Sequence, residues 1–163
     1  MRAAPWETLH MPKELACDFV CFFSRFEYAL KAVGFVRRSP RGYAEPDWNR
    51  FGLSVSGTFN PASTPDVDVS VTYLLTYPPE RQTYDSGSRR LDWATLPHQA
   101  NATTAQTLIS YIRCVRNNLF HGGKFLPPPA GSPDRDRLLV SHSLIVLDAL
   151  LVLDTHVQNA FDQ

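Results

Sequence analysis

The segment YIRCVRNNLFHGGKF, Tyr111 to Phe125, gathers side chains that could do chemistry. Arg116 and His121 stand with four residues between them, Arg113 lies one turn before Arg116, and Asn117 follows it directly. On a helix turning about 100° per residue, Arg113, Arg116 and Asn117 fall near one another, and His121 comes one turn after Asn117. One polar face thus holds two guanidiniums, an amide and an imidazole. A guanidinium fork suits a phosphate group, and an imidazole with an ordinary pKa near 6.5 takes or gives a proton near neutral pH. The opposite face carries Leu108, Ile112, Val115 and Leu119, as a helix docked on a core requires.

Spacing alone is a weak signal. Three of the 16 basic residues are lysines (Lys13, Lys31, Lys124), leaving thirteen arginines against five histidines. Chance then yields roughly 0.4 Arg-x4-His pairs. A second pair does occur, Arg137 and His142, but it lies in the apolar run RLLVSH, the setting of a packed or capping histidine. Arg116 is followed by Asn117 and Asn118, and His121 abuts Gly122-Gly123, a helix stop that leaves polar groups around a chain end open to a ligand.

These residues must be positioned by the rest of the chain. The 163 residues suffice for one core, and 44% hydrophobic and 12% aromatic content is enough to fold it. Leu15, Phe19, Phe22, Phe23, Phe26, Ala29, Leu30 and Val33 recur at helical spacing from Pro12 to Gly34. RRSPRGYAEP reads as a loop, and Asp47 opens a shorter helix through DWNRFGLSV. Asp66 to Thr76 fits both a strand and a helix; it is read as a helix because no second alternating run exists to pair with it. Tyr77 to His98 reads as a long loop, anchored by Leu91 and Trp93. A second clear helix begins near Thr103 and stops at Gly122-Gly123. After the connector GGKFLPPPAGSP, Ser132 is the expected N-cap of a last helix from about Asp134 to Val157. The expected fold class is all-α, a bundle of four to five helices with a long irregular loop, as one domain over 1–163.

Charge narrows the partners. Sixteen acidic residues balance sixteen basic ones, so nucleic acid could be held only locally, not across a broad cationic surface. Cys17, Cys21 and Cys114 fit neither a disulfide framework nor a zinc site, and Cys17 and Cys21 are expected to be buried helix residues. Asp148 and Asp154 lie six apart, on different helix faces, so no metal site is expected. Absent an apolar leader or an uninterrupted apolar span, the expected compartment is the cytoplasm, with no membrane partner.

The run RNNLFHGGK resembles the signature of HEPN domains, an Arg, a polar residue directly after it, and a His four to six residues from the Arg. FFSRFEYALKAVGF, PDWNRF and YLLTYPPERQ are similar to stretches of small plasmid- and bacterium-encoded HEPN proteins of similar length, so the resemblance covers most of the chain. It implies a helical bundle that dimerises with both motifs facing one cleft, and in many relatives a metal-independent endoribonuclease acting as a toxin or in defence. The expected partners are then RNA, a second copy of the chain and an antitoxin or other partner protein, with no cofactor. Metal-free RNA cleavage needs a base for the 2′-OH, an acid for the leaving 5′-oxygen and a cation for the phosphorane-like transition state. Two copies of His121 and Arg116 in a symmetric dimer supply them. Asn117 would orient the phosphate or His121, while Arg113 and Lys124 would bind flanking phosphates.

Structural readings stand beside these. Arg116 could pair with Glu27, a polar residue within the first helix that a bundle must satisfy. His121 could cap a helix C-terminus. Asn118 is expected to be exposed, and Trp48 and Trp93 are read as core anchors.

Overall fold

The computed structural model describes residues 4–97, 99–121 and 133–163. Lys124, the glycine stop at 122–123, His98 and the Ser132 cap lie outside the described residues.

After a 3-10 turn at Pro5–Thr8, helix α1 spans Lys13–Ala32. It buries Phe19, Phe23, Phe26, Ala29 and Leu30, the stripe that the spacing predicts. It ends in a Schellman motif: Gly34 takes φ +94, its N–H donates to the Lys31 carbonyl, and the Phe35 N–H donates to the Leu30 carbonyl at 2.8 Å. Helix α2, Trp48–Val55, is capped by Asp47, whose carboxylate accepts from the Arg50 N–H at 3.0 Å. Helix α3, Pro65–Thr76, takes Thr64 as N-cap and Pro65 in its first turn, which resolves the ambiguous valine run as a helix. Helix α4, Thr104–Phe120, starts with a complete Thr103–Gln106 capping box.

The all-α expectation is corrected. Helix makes up 59% of the described residues, and two antiparallel hairpins accompany six α-helices among them. Strands β1 (Val36–Arg38) and β2 (Ala44–Pro46) pair within the expected RRSPRGYAEP loop. Gly42 makes that turn at φ +86. Strands β3 (Glu80–Asp85) and β4 (Arg90–Thr95) pair in the expected long loop, from Glu80 with Thr95 to Asp85 with Arg90. The Asp85 carboxylate holds their turn, accepting from the Gly87 and Ser88 N–H groups. Strands β1 and β2 are only three residues each and β3 does not alternate; β4 alternates over Arg90, Leu91, Asp92 and Trp93 but has no alternating partner, so the period-two signal does not mark a hairpin. Trp93 is half-buried, but Leu91 is 58% exposed and anchors nothing.

The last helix is also shorter than expected. Helix α5 spans Pro133–Leu151, and helix α6, Thr155–Asp162, leaves it at 116°. Asp154 causes the break by capping α6, accepting from the His156 and Val157 N–H groups at 3.0 and 3.1 Å. No single helix among the described residues is long and apolar enough to cross a membrane; α5 and α6 meet that length and composition only as a bent pair.

The core lies where α1, α2, α4 and α5 meet, with α3 against α5 and α6 against α1. Trp48 is fully enclosed, its ring 5.0 Å from Phe26 and 5.2 Å from Phe23, and Phe161 of α6 stacks on Phe22 at 4.8 Å. Trp48 is therefore the core anchor it reads as. Cys17 and Cys21 are exposed, not buried, because the buried stripe of α1 runs through Ala16, Phe19 and Phe23 on its other side.

Candidate active site

Helix α4 aims Arg113, Asn117 and His121, at four-residue intervals, along one edge. Together with Ser110 they line a cleft of about 470 Å³ whose other wall is β3, through Arg81 and Gln82. His121 terminates α4: it is the C-cap, its N–H donates to the Asn117 carbonyl at 2.9 Å, and its side chain is exposed to the cleft mouth. An imidazole there, exposed at the end of the helix, is accessible to a substrate.

The hairpin wall is fixed to the helices at its base. Asn118 is 7% exposed, not the surface residue that the sequence suggests, and its amide donates to the Glu80 carbonyl at 2.7 Å. The Cys114 thiol approaches the same carbonyl at 3.6 Å. Arg135 of α5 donates to the Pro78 carbonyl at 2.9 Å and pairs with the Glu80 carboxylate at 3.8 Å. These contacts hold Arg81 and Gln82 opposite His121. The Gln82 Nε2 group is buried at the cleft with no hydrogen-bond partner among the described residues. A buried donor of this kind costs stability unless an acceptor meets it.

Arg116 goes elsewhere. Its guanidinium enters the seam between α4 and α1, over the Phe120 ring at 4.6 Å and the Phe23 ring at 5.5 Å. It pairs with Glu27 at 3.8 Å and donates to the Asn117 Oδ1 at 3.1 Å. Glu27 in turn accepts from the Trp48 indole at 3.4 Å. A polar chain thus runs from the core tryptophan through Glu27 and Arg116 to Asn117, a lining residue of the cleft. The structural pairing of Arg116 with Glu27 is present, and Arg116 does not line the cleft that His121 lines.

Arg113 is the α4 arginine that lines the cleft, across from Arg81 of β3. Its pKa is lowered from that of a free guanidinium, first by partial burial and then by the neighbouring Arg37 and Arg116, with Glu27 and Glu45 acting against them. Arg37 is itself paired with Glu45 at 3.2 Å. Three arginines around two carboxylates leave positive charge that an anion would relieve.

Of the site residues expected from sequence, the structure brings Arg113, Asn117 and His121 together and sets Arg116 one turn away. Arg81 and Gln82 were missed. They end the YLLTYPPERQ run, and the polar turn YDSGSR downstream marks a hairpin reversal, but neither says that this strand lies against α4. Asp148 and Asp154 form no metal cluster, and among the described residues no group of His, Cys, Asp and Glu could hold a metal. His142 is a packed histidine, its Nδ1 at 3.0 Å from the Ser70 hydroxyl and its ring 4.5 Å from Tyr73.

Compared with family models, curated proteins and solved structures, the chain matches none significantly. The HEPN resemblance therefore has no support beyond the motif and the stretches of this sequence that suggest it.

Proposed function

We propose that the protein is a metal-independent endoribonuclease of the HEPN type, working as a homodimer on single-stranded RNA. The observation that carries this reading is the convergence of Arg113, Asn117 and His121 on one cleft with the unpartnered amide of Gln82. A phosphodiester entering the cleft meets a cation, an exposed imidazole and a free donor. His121 of one copy removes the 2′-OH proton and His121 of the second protonates the departing 5′-oxygen. The 2′-oxygen attacks phosphorus as the P–O5′ bond breaks, leaving 2′,3′-cyclic phosphate and 5′-hydroxyl ends. Arg113 holds the phosphate through its fork. Arg116, the motif arginine, joins the clamp by exchanging Glu27 for the scissile phosphate; until then it orients Asn117. Lys124 is assigned a flanking phosphate. A toxin or defence role, with an antitoxin partner, follows from the same reading.

The test is cleavage of a mixed RNA pool in EDTA by the wild type, Arg113→Ala, Arg116→Ala and His121→Ala, with product ends mapped and the rate followed against protein concentration. Cyclic-phosphate ends are expected, with losses of about 10²–10⁴-fold in folded His121→Ala and a rate per chain that falls on dilution. Full cleavage by His121→Ala overturns the proposal. A second reading, a catalytically silent HEPN module that dimerises and binds a partner protein or nucleotide, is favoured by the engagement of Arg116 with Glu27. Absence of cleavage by all four proteins assigns the chain to it.

A further inference from the structure

Away from the His121 cleft, a second cavity of about 710 Å³ opens between the start of α3, the end of α5 and Phe22 of α1. Asp148 on its rim comes 13 residues after Arg135, which braces the cleft's hairpin, so the two sites are separated by about 20 Å along α5. The volume lies within the range of roughly 300–1,000 Å³ typical of small-molecule sites. Phe22, Phe59, Val67, Leu144, Ile145 and Leu153 make its lining mainly apolar.

Its charge is of one sign. Asp66 and Asp148 line the cavity, and no Lys, Arg or His does, although the whole chain carries equal numbers of both signs. Asp66 has an explanation in the fold, because it stands in the first turn of α3, where the helix dipole favours a carboxylate. Asp148 has none. It stands in the last turn of α5, which holds no basic residue, and there the dipole disfavours negative charge. Among the described residues neither carboxylate has an ion-pair partner. Two solvent-exposed carboxylates, one at the negative end of a helix, thus stand beside an apolar hollow, and a cation on an apolar body complements both.

We infer that this cavity binds a small apolar molecule carrying a protonated amine, its body against Phe22, Phe59 and Ile145 and its ammonium beside Asp148 and Asp66. The site is independent of the RNA reading, and its test needs no RNA.

Tryptamine, 3-ethylindole and indole-3-propionate share one ring and differ in charge. Each is titrated into the full chain near pH 7 while backbone and methyl resonances are followed. Tryptamine is expected to bind about three- to tenfold more tightly than 3-ethylindole, the scale of one partly screened ion pair, with indole-3-propionate weakest and shifts centred on Phe22, Phe59 and Ile145. Asp148→Asn brings tryptamine to the level of 3-ethylindole. Val152→Arg, at a half-exposed turn position on the cavity rim, weakens tryptamine by tethering a competing cation there. Equal affinity for all three probes, insensitivity to both substitutions, shifts mapping elsewhere, or no saturable tryptamine binding below about 10 mM each overturns the inference.

Discussion

Arg116 and Arg113 stand one turn apart on the same helix and meet opposite surroundings. Arg116 is held between two aromatic rings and Glu27, with side chains of the pair 30% and 24% exposed, so part of its role is to join α4 to α1. Breaking a half-buried pair leaves a charge short of both water and partner. Glu27→Gln is expected to lower unfolding free energy by about 1–2 kcal/mol, and Glu27→Gln with Arg116→Met by less than the sum of the single changes, with coupling near 1 kcal/mol. Urea denaturation of the four proteins checks this. Additive effects would make the contact incidental and free Arg116 for the cleft. Arg113 faces the cleft with unbalanced positive charge around it, which the residue's own spacing from His121 does not reveal.

At the scale of elements, the cleft depends on how closely α2 seats α4 and on how firmly the hairpin seats β3. Gly52 of α2 lies where a Cβ would come within 2.9 Å of the Ile109 Cδ1 and 3.3 Å of the Gln106 Cα. A side chain there would require the Ile109 and Gln106 side chains to turn aside and the α4 backbone to give by a few tenths of an ångström. Gly52→Val is expected to destabilise by about 2–3 kcal/mol through overpacking, a fall in Tm of roughly 5–10 °C for a chain of this size. Gly57→Ala, where a Cβ would meet nothing within 4 Å, serves as the control and should leave Tm nearly unchanged. A thermal melt of both variants decides the matter; equal Tm values would mean that α2 and α4 separate without cost. The hairpin β3–β4, by contrast, is held through polar contacts from Asn118 and Arg135, so its placement against α4 depends on few interactions.

For the whole molecule, the linkage of stability to pH rests on His142. Burial between α3 and α5 lowers its pKa from 6.5, so the folded protein favours neutral imidazole. Between the lowered folded value and 6.5 the unfolded chain binds more protons, and stability rises with pH in that window. Stability should therefore fall as pH drops below about 6.5 and level off once pH passes below the folded value. Its slope is at most about 1.4 kcal/mol per pH unit for one proton. His142→Gln should flatten this part of the profile in urea melts taken from pH 5 to 8; an unchanged slope would assign the titration to another group.

The sequence by itself determined the helices whose signals are local. The stripe of α1 with its Gly34 end, the Asp47 and Thr103 caps and the packed His142 were all legible, because periodicity and capping act within a few residues. It also placed Arg113, Arg116, Asn117 and His121 on one helix face, since three and four residues make a turn, and of these Arg116 does not line the cleft. Tertiary structure alone decided the rest. Neither hairpin has two alternating strands, so only pairing across five or more residues creates them. Asn118 is buried because β3 lies on it; the stop of α5 at Leu151, by contrast, comes from the local Asp154 cap, which the apolar run of the last helix masks in the sequence. Which arginine faces His121 depends on where Glu27 and the Phe23 ring arrive from α1, and that is settled only when distant segments pack together.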